Sequence, residues 1–110
     1  MLIVKNNSIE ITRGDTGRLT IDVADDYDQP YEMRENDTLI FTVKTSADAE
    51  ESVIEKELKG TNLLHLEPKD TASLDYTKYV YDVELHTAEG DVYTVIEKSE
   101  FKLREEVTRR

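Results

Sequence analysis

The sequence has no cysteine and no tryptophan, and only two prolines, four glycines and two histidines in 110 residues. Without cysteine there is no disulfide framework, no thiolate zinc site and no thiol nucleophile. So little Gly and Pro excludes collagen-like and Pro/Gly-rich low-complexity chains. Basic residues are also in deficit: 14 Lys and Arg stand against 25 Asp and Glu, a net charge of −11. Nucleic-acid binding needs a Lys/Arg footprint for the phosphates, and an anionic membrane surface attracts the same sign, so neither partner is expected. Long apolar runs are missing too. The opening Met1-Leu2-Ile3-Val4 stops at Lys5, short of the roughly 7–15 residues of a secretory core and the ~20 of a spanning helix. No signal peptide is read here, and synthesis in the cytoplasm is the expectation.

What the chain does have is a period of two. Ile9 and Ile11 flank Glu10, and Leu19, Ile21 and Val23 alternate with Thr20 and Asp22. Leu39, Phe41 and Val43 alternate with a half-polar face of Thr38, Ile40, Thr42 and Lys44. The clearest stretch is Tyr79, Tyr81, Val83 and Leu85, followed by Ala88-Glu89-Gly90-Asp91 as a hairpin turn. The return strand Val92–Ile96 resumes at Phe101 and Leu103 after the polar Glu97–Glu100, which reads as a bulge. Val53–Leu58 reads as a charged edge strand, paired across Gly60-Thr61 with the strand of Leu64 and Leu66. Pro68–Leu74 reads as one turn of helix, since Pro is tolerated at a helix start.

Composition alone, 37% hydrophobic and 35% charged, lies near the border of disorder. The alternation decides for a folded chain. The expected fold is all-β: one antiparallel, immunoglobulin-like β-sandwich of about seven strands, with a short helical turn near 68–74. It occupies residues 1–110 as a single domain, with its core over about 8–103 and a tail at 104–110 expected to fray. Core positions are Leu19, Ile21, Val23, Leu39, Phe41, Val43, Leu64, Leu66, Leu74, Tyr79, Tyr81, Val83 and Leu85. The segment Leu74–Tyr81, a short helical turn leading into a strand with inward tyrosine, is the place for a corner tyrosine capping the crossover between sheets; the Cys and Trp of antibody domains are absent.

Chemistry is sparse. His65 and His86 sit inside strands with no nucleophile placed by motif, so no catalytic or cofactor-binding residue is assigned and no enzyme is expected. Asp25, Asp26 and Asp28 form the one candidate metal loop, but Pro30 and Tyr31 follow where a calcium loop needs Gly and further ligands. Turn chemistry explains these acids better. Arg13-Gly14-Asp15 spells an integrin-recognition tripeptide that a tight turn needing Gly also accounts for. Of six tyrosines, Tyr27, Tyr31 and Tyr76 fall in or beside loops and Tyr93 near the last turn; these four are the candidate contact residues.

Five segments in order carry a likeness. They are IEITRGDT (Ile9–Thr16), DTLIFTVK (Asp37–Lys44), LEPKDT (Leu66–Thr71), YVYDV (Tyr79–Val83) and EGDVYTV (Glu89–Val95). With them the chain resembles the small immunoglobulin-like modules of phage and prophage tails and baseplates, in particular the N-terminal domain of BppU-type upper-baseplate proteins. That resemblance implies a non-enzymatic virion component without cofactors, whose partners are other phage structural proteins or a second copy of itself in a homo-oligomer. The resemblance also implies an adaptor holding a receptor-binding module; no coiled-coil heptads are read after Thr108, which leaves open a stand-alone structural protein or a cut N-terminal domain. Exposed tyrosines leave a carbohydrate- or cell-surface-binding module as the alternative. An acidic nucleic-acid mimic is a third reading, set back by the interspersed Lys5, Arg13, Arg18, Arg34, Lys44, Lys56 and Lys59.

Overall fold

Alternating apolar residues bury one face of each strand, and the described strands of this mostly β chain fall into two sheets of unequal size. The computed structural model describes residues 2–5, 7–25, 27–75 and 77–108. Its strands are β1 (Leu2–Lys5), β2 (Ser8–Thr12), β3 (Gly17–Thr20), β4 (Thr38–Lys44), β5 (Ile54–Lys59), β6 (Leu63–Leu66), β7 (Lys78–His86) and β8 (Val92–Arg104). One short helix, α1 (Pro68–Thr71), precedes β7. Six strands form a curled sheet in the order β1-β2-β8-β7-β4-β5, and β3 pairs with β6 in a second sheet.

Three expectations are corrected. The large sheet is mixed rather than antiparallel, because β2 runs parallel to β8, Ile9 opposite Phe101 and Ile11 opposite Leu103. A period of two reports which face is buried and is silent on strand direction. There are eight strands among the described residues, not about seven, because Leu2–Lys5 forms a hairpin with β2. Finally, β6 pairs with β3, not with β5. The chain leaves the large sheet at Gly60, whose φ of +66° favours glycine and whose N–H donates to Asp37 O at 2.8 Å. A Cβ there would also sit 3.0 Å from Glu35 O.

The core is a single cluster shared by both sheets. Ile21, Val23, Leu39, Phe41, Val43, Leu64, Leu66, Tyr79, Tyr81, Val83 and Leu85 are buried, and Leu19 and Leu74 are half-buried against them. Ile9, Ile11, Ile54, Leu58, Phe101 and Leu103 complete it. Ile21 and Val23 are buried although the β3 ladder ends at Thr20, so their alternation outlasts the strand. At the centre Phe41, Tyr81 and Phe101 form a triangle with ring centroids 5.3, 6.2 and 6.5 Å apart, tilted or edge-on as ring quadrupoles prefer.

Polar joints close the corners. Arg13 donates to both Glu106 carboxylate oxygens, at 3.2 and 2.8 Å, and to Leu74 O at 3.0 Å. Gly14 N–H donates to the buried Thr71 hydroxyl at 2.8 Å. The Arg-Gly-Asp tripeptide is thus built into the seam between the β2–β3 turn, α1 and the segment after β8. Tyr79 O–H donates to Asp75 O at 3.1 Å. Tyr81 O–H reaches Asn7 O across the sheet. Lys56 shares the core face with Phe41, its register partner, and its ammonium meets Asp70 at 2.8 Å. Burial pushes the Asp70 carboxyl up, but the hydrogen bond from Lys56, the Glu67 N–H and the charges of Lys56 and Lys69 outweigh it and hold it low.

Candidate functional site

The two sheets do not match in length, and a cleft opens where the smaller one ends. The β3–β6 ladder covers four residues of each strand, whereas the β7–β8 hairpin runs on to His86 and Val92. Tyr93 is the register partner of Leu85 and so lies on the inner face of the large sheet, yet it is 47% exposed because no strand among the described residues covers it. The cleft has a volume of about 610 Å³. Leu85, Val23 and Val95 supply its apolar surface, Asp22–Asp25 one wall, and Thr87, Glu89, Asp91, Tyr93 and Thr94 the other, with Tyr31 and Arg34 completing it.

Beside the cleft β8 is a strand with one open side. Its pairing with β2 covers only Phe101–Arg104. Among the described residues no strand pairs with Val92–Glu100 on the side away from β7. Two irregularities fall in this stretch. Between the pairs Glu84–Thr94 and Val83–Ile96, and again between Val83–Ile96 and Tyr81–Ser99, β8 advances one residue more than β7. The second coincides with the bulge expected from Glu97–Glu100. The first makes Val95 the extra residue, and bulges re-aim side chains in this way beside binding sites.

A buried carboxylate holds the end of the cleft in shape. Asp37 is fully buried, and its Oδ2 accepts from the Tyr31 hydroxyl at 2.5 Å and from Arg34 N–H at 3.0 Å. The Arg34 guanidinium lies 3.6 Å from the same oxygen and 3.3 Å from Glu89 on the β7–β8 turn. The Tyr31 hydrogen bond holds the Asp37 carboxyl below its ordinary range against the opposing effect of burial, with help from the Arg34 and Ala88 N–H groups. The same bond raises the Tyr31 phenol above its usual value. Asp37 thereby joins the loop before β4, the start of β4 and the last hairpin in one unit.

The sequence-derived candidates are divided by this geometry. Tyr31, Tyr93 and Asp25 come together in the cleft. Tyr27 is 84% exposed at the tip of a turn and does not line it. Asp25 Oδ1 accepts from the N–H groups of Tyr27 and Gln29, both at 2.9 Å, and Asp28 adopts φ 62° in the same turn. These are the jobs of turn aspartates. Asp26 and Tyr76 lie outside the described residues. Among the described residues no three His, Asp or Glu side chains converge as metal ligands would, and no helix is long and apolar enough to cross a membrane.

Sequence reasoning missed Asp22, Arg34, Asp37, Glu89 and Asp91. Asp37 is one acid among 25; only its spacing of three from Arg34 and six from Tyr31 marks it. A second hollow of about 230 Å³ lies on the outer face of the large sheet, lined by Lys44, Asp82, Glu84 and Lys98 among others. Burial and the neighbouring Glu84 raise the Asp82 carboxyl there, with Lys44 opposing. Charges of both signs line this hollow, so it selects for neither sign of ligand. No family model, curated protein or solved structure matches this chain.

Proposed function

We propose that this chain is a non-enzymatic structural and interaction module of a phage or prophage tail or baseplate, built as an immunoglobulin-like sandwich. The observation that carries the reading is the division of strands: β3 and β6 in one sheet, β4, β7 and β8 in the other, with β5 beside β4. In an immunoglobulin domain the second and fifth strands likewise lie opposite the third, sixth and seventh, and a tyrosine bonds back to the backbone at the crossover. Tyr79 makes that bond. The loop from β3 to β4 and the turn from β7 to β8 correspond to the loops that bind in variable domains, and residues of both line the cleft.

The phage assignment rests on the five ordered segments. They supply Arg13 and Gly14 to one joint, Asp37 to the other, Thr71 and Asp70 to the helix contacts, and Glu89–Val95 to the cleft. Assembly into a virion with other tail proteins follows from that assignment. A carbohydrate- or cell-surface-binding module is the second reading, favoured because Tyr31 and Tyr93 line one cleft.

Size-exclusion chromatography with light scattering, run on the chain alone and with the proteins encoded beside it, separates the two. Co-elution with a tail or baseplate protein supports the module. A chain that binds none of them yet is retained on glycan resin supports the sugar-binding reading instead.

A further inference from the structure

We propose that the cleft takes an extended segment of a partner protein, alternately basic and apolar, which adds as a strand to the open side of β8 over Val92–Ile96. Three observations meet at this spot. The first is an unpaired ladder. A strand edge with free N–H and C=O groups is a template for another chain, and proteins blunt it when it is not used.

Elsewhere in the large sheet the blunting is visible. β5, at one end of the sheet, carries Glu55, Lys56, Glu57 and Lys59, and Lys56 points inward. Val92–Ile96 carries no charge at all. The Val95 bulge interrupts pairing with β7 and leaves the valine in the cleft lining, where an added strand would meet it.

The second observation is the apolar surface. Leu85, Val23, Val95 and Tyr93 line the cleft, and Val92 beside it is 54% exposed. Successive side chains of an added strand point to opposite faces, so alternate apolar residues would enter the cleft, while the long basic side chains between them bend back over its rim toward Glu89 and Asp91.

The third is the charge of that rim. Asp22, Asp25, Glu89 and Asp91 face one cation, Arg34, which Asp37 and Glu89 already engage. Among the described residues neither Asp22 nor Asp91 has a cationic partner. A second copy of this chain, at −11, meets that rim with like charge, so a basic foreign segment is the better occupant. The inference rests on the reading of the chain as an interaction module and names the kind of partner its cleft accepts.

The test is an NMR titration of isotope-labelled full chain with three probes. One is a capped heptapeptide alternating Lys and Val. The second has Glu for every Lys, and the third is the Lys peptide N-methylated at alternate amides, which cannot extend a ladder. The Lys peptide is expected to shift Val92–Ile96 and the cleft residues, and to slow exchange of the β8 amides that point away from β7.

The acidic and N-methylated probes are expected to bind at least about tenfold more weakly. Replacing both Asp22→Asn and Asp91→Asn is expected to weaken the Lys peptide roughly three- to tenfold, less at high salt.

Equal binding of all three probes overturns the proposal. So does a response at β5 instead of β8, or no shift at millimolar Lys peptide. A dimer that protects Val92–Ile96 in the free protein assigns the edge to a second copy and overturns it too. A chito-oligosaccharide shifting the same residues as strongly as the Lys peptide also counts against it. If the peptide leaves β8 untouched while neighbouring tail proteins still co-elute with the chain, the strand-edge proposal falls and the module reading stands. If the peptide binds as expected and no tail protein co-elutes, the edge proposal is supported and the tail assignment falls.

Discussion

Strand β5 carries four charges in six residues and turns one of them, Lys56, onto the core face against Asp70. The first half of β8 has five residues without a charge, an exposed valine and tyrosine, and an open side. Both strands sit in the same sheet of the same acidic chain. Their difference shows that charge is not a uniform coat: β5 carries two Glu and two Lys, which cancel, while around Val92–Ile96 the acids lie beside the strand and not on it. An inward lysine disfavours strand addition, because a newcomer would have to accommodate a buried charge. An uncharged edge beside a cleft has no such guard.

The largest expected effect breaks β8 at its other end. Phe101 is fully buried and touches the Phe41–Tyr81 pair, so Phe101→Ala should cost about 3–5 kcal/mol in urea unfolding. Next comes the joint below the cleft. Asp37→Ala leaves the Tyr31 hydroxyl and the Arg34 N–H without their acceptor and should cost about 2–3 kcal/mol.

The same joint sets a pH window. Asp37 is lowered in the folded state, so its contribution is present above the unfolded carboxylate value of about 4 and is lost as pH falls through the folded one. Tyr31 is raised, so its contribution is present below the unfolded value of about 10 and is lost as pH rises through its folded one. Unfolding curves of Asp37→Asn and Tyr31→Phe across pH should flatten the acid and alkaline limbs respectively.

A smaller effect sharpens the edge comparison. Lys56→Val removes the guard from β5 and leaves Asp70 without its cation, at a cost of about 1–2 kcal/mol. Light scattering should show more self-association than in the parent chain. The smallest effect on stability is Tyr93→Ala, within about 1 kcal/mol because the ring is half exposed. The same change should weaken strand addition at β8 by roughly tenfold. A Tyr93→Ala chain that is badly destabilised would show that this half of β8 belongs to the core.

What was legible in the residues was the buried face. Alternation placed Phe41, Tyr81, Val83 and Leu66 inside. Pairing was not legible. Nothing in Ile9 or Ile11 says that their neighbour is the last strand of the chain, running parallel. Such a contact joins residues some ninety positions apart, through turns whose conformations are settled only by the packed whole. The site was half legible for the same reason. Tyr31 and Asp25 stood out by type and loop position and Tyr93 by type alone, but the cleft depends on where the small sheet stops. Asp37, which shapes it, looks in sequence like any other turn acid.

The most direct test is residue-resolved amide hydrogen exchange along β8 in the free protein. Amides of Phe101–Leu103, flanked by β2 and β7, should be protected to near the global unfolding limit. Those of Val92–Ile96 that point away from β7 should exchange orders of magnitude faster, and faster than the rest of the hairpin. Uniform protection from Val92 to Leu103 would mean that the edge is already covered, and would contradict the account of β8 as a strand held open for a partner.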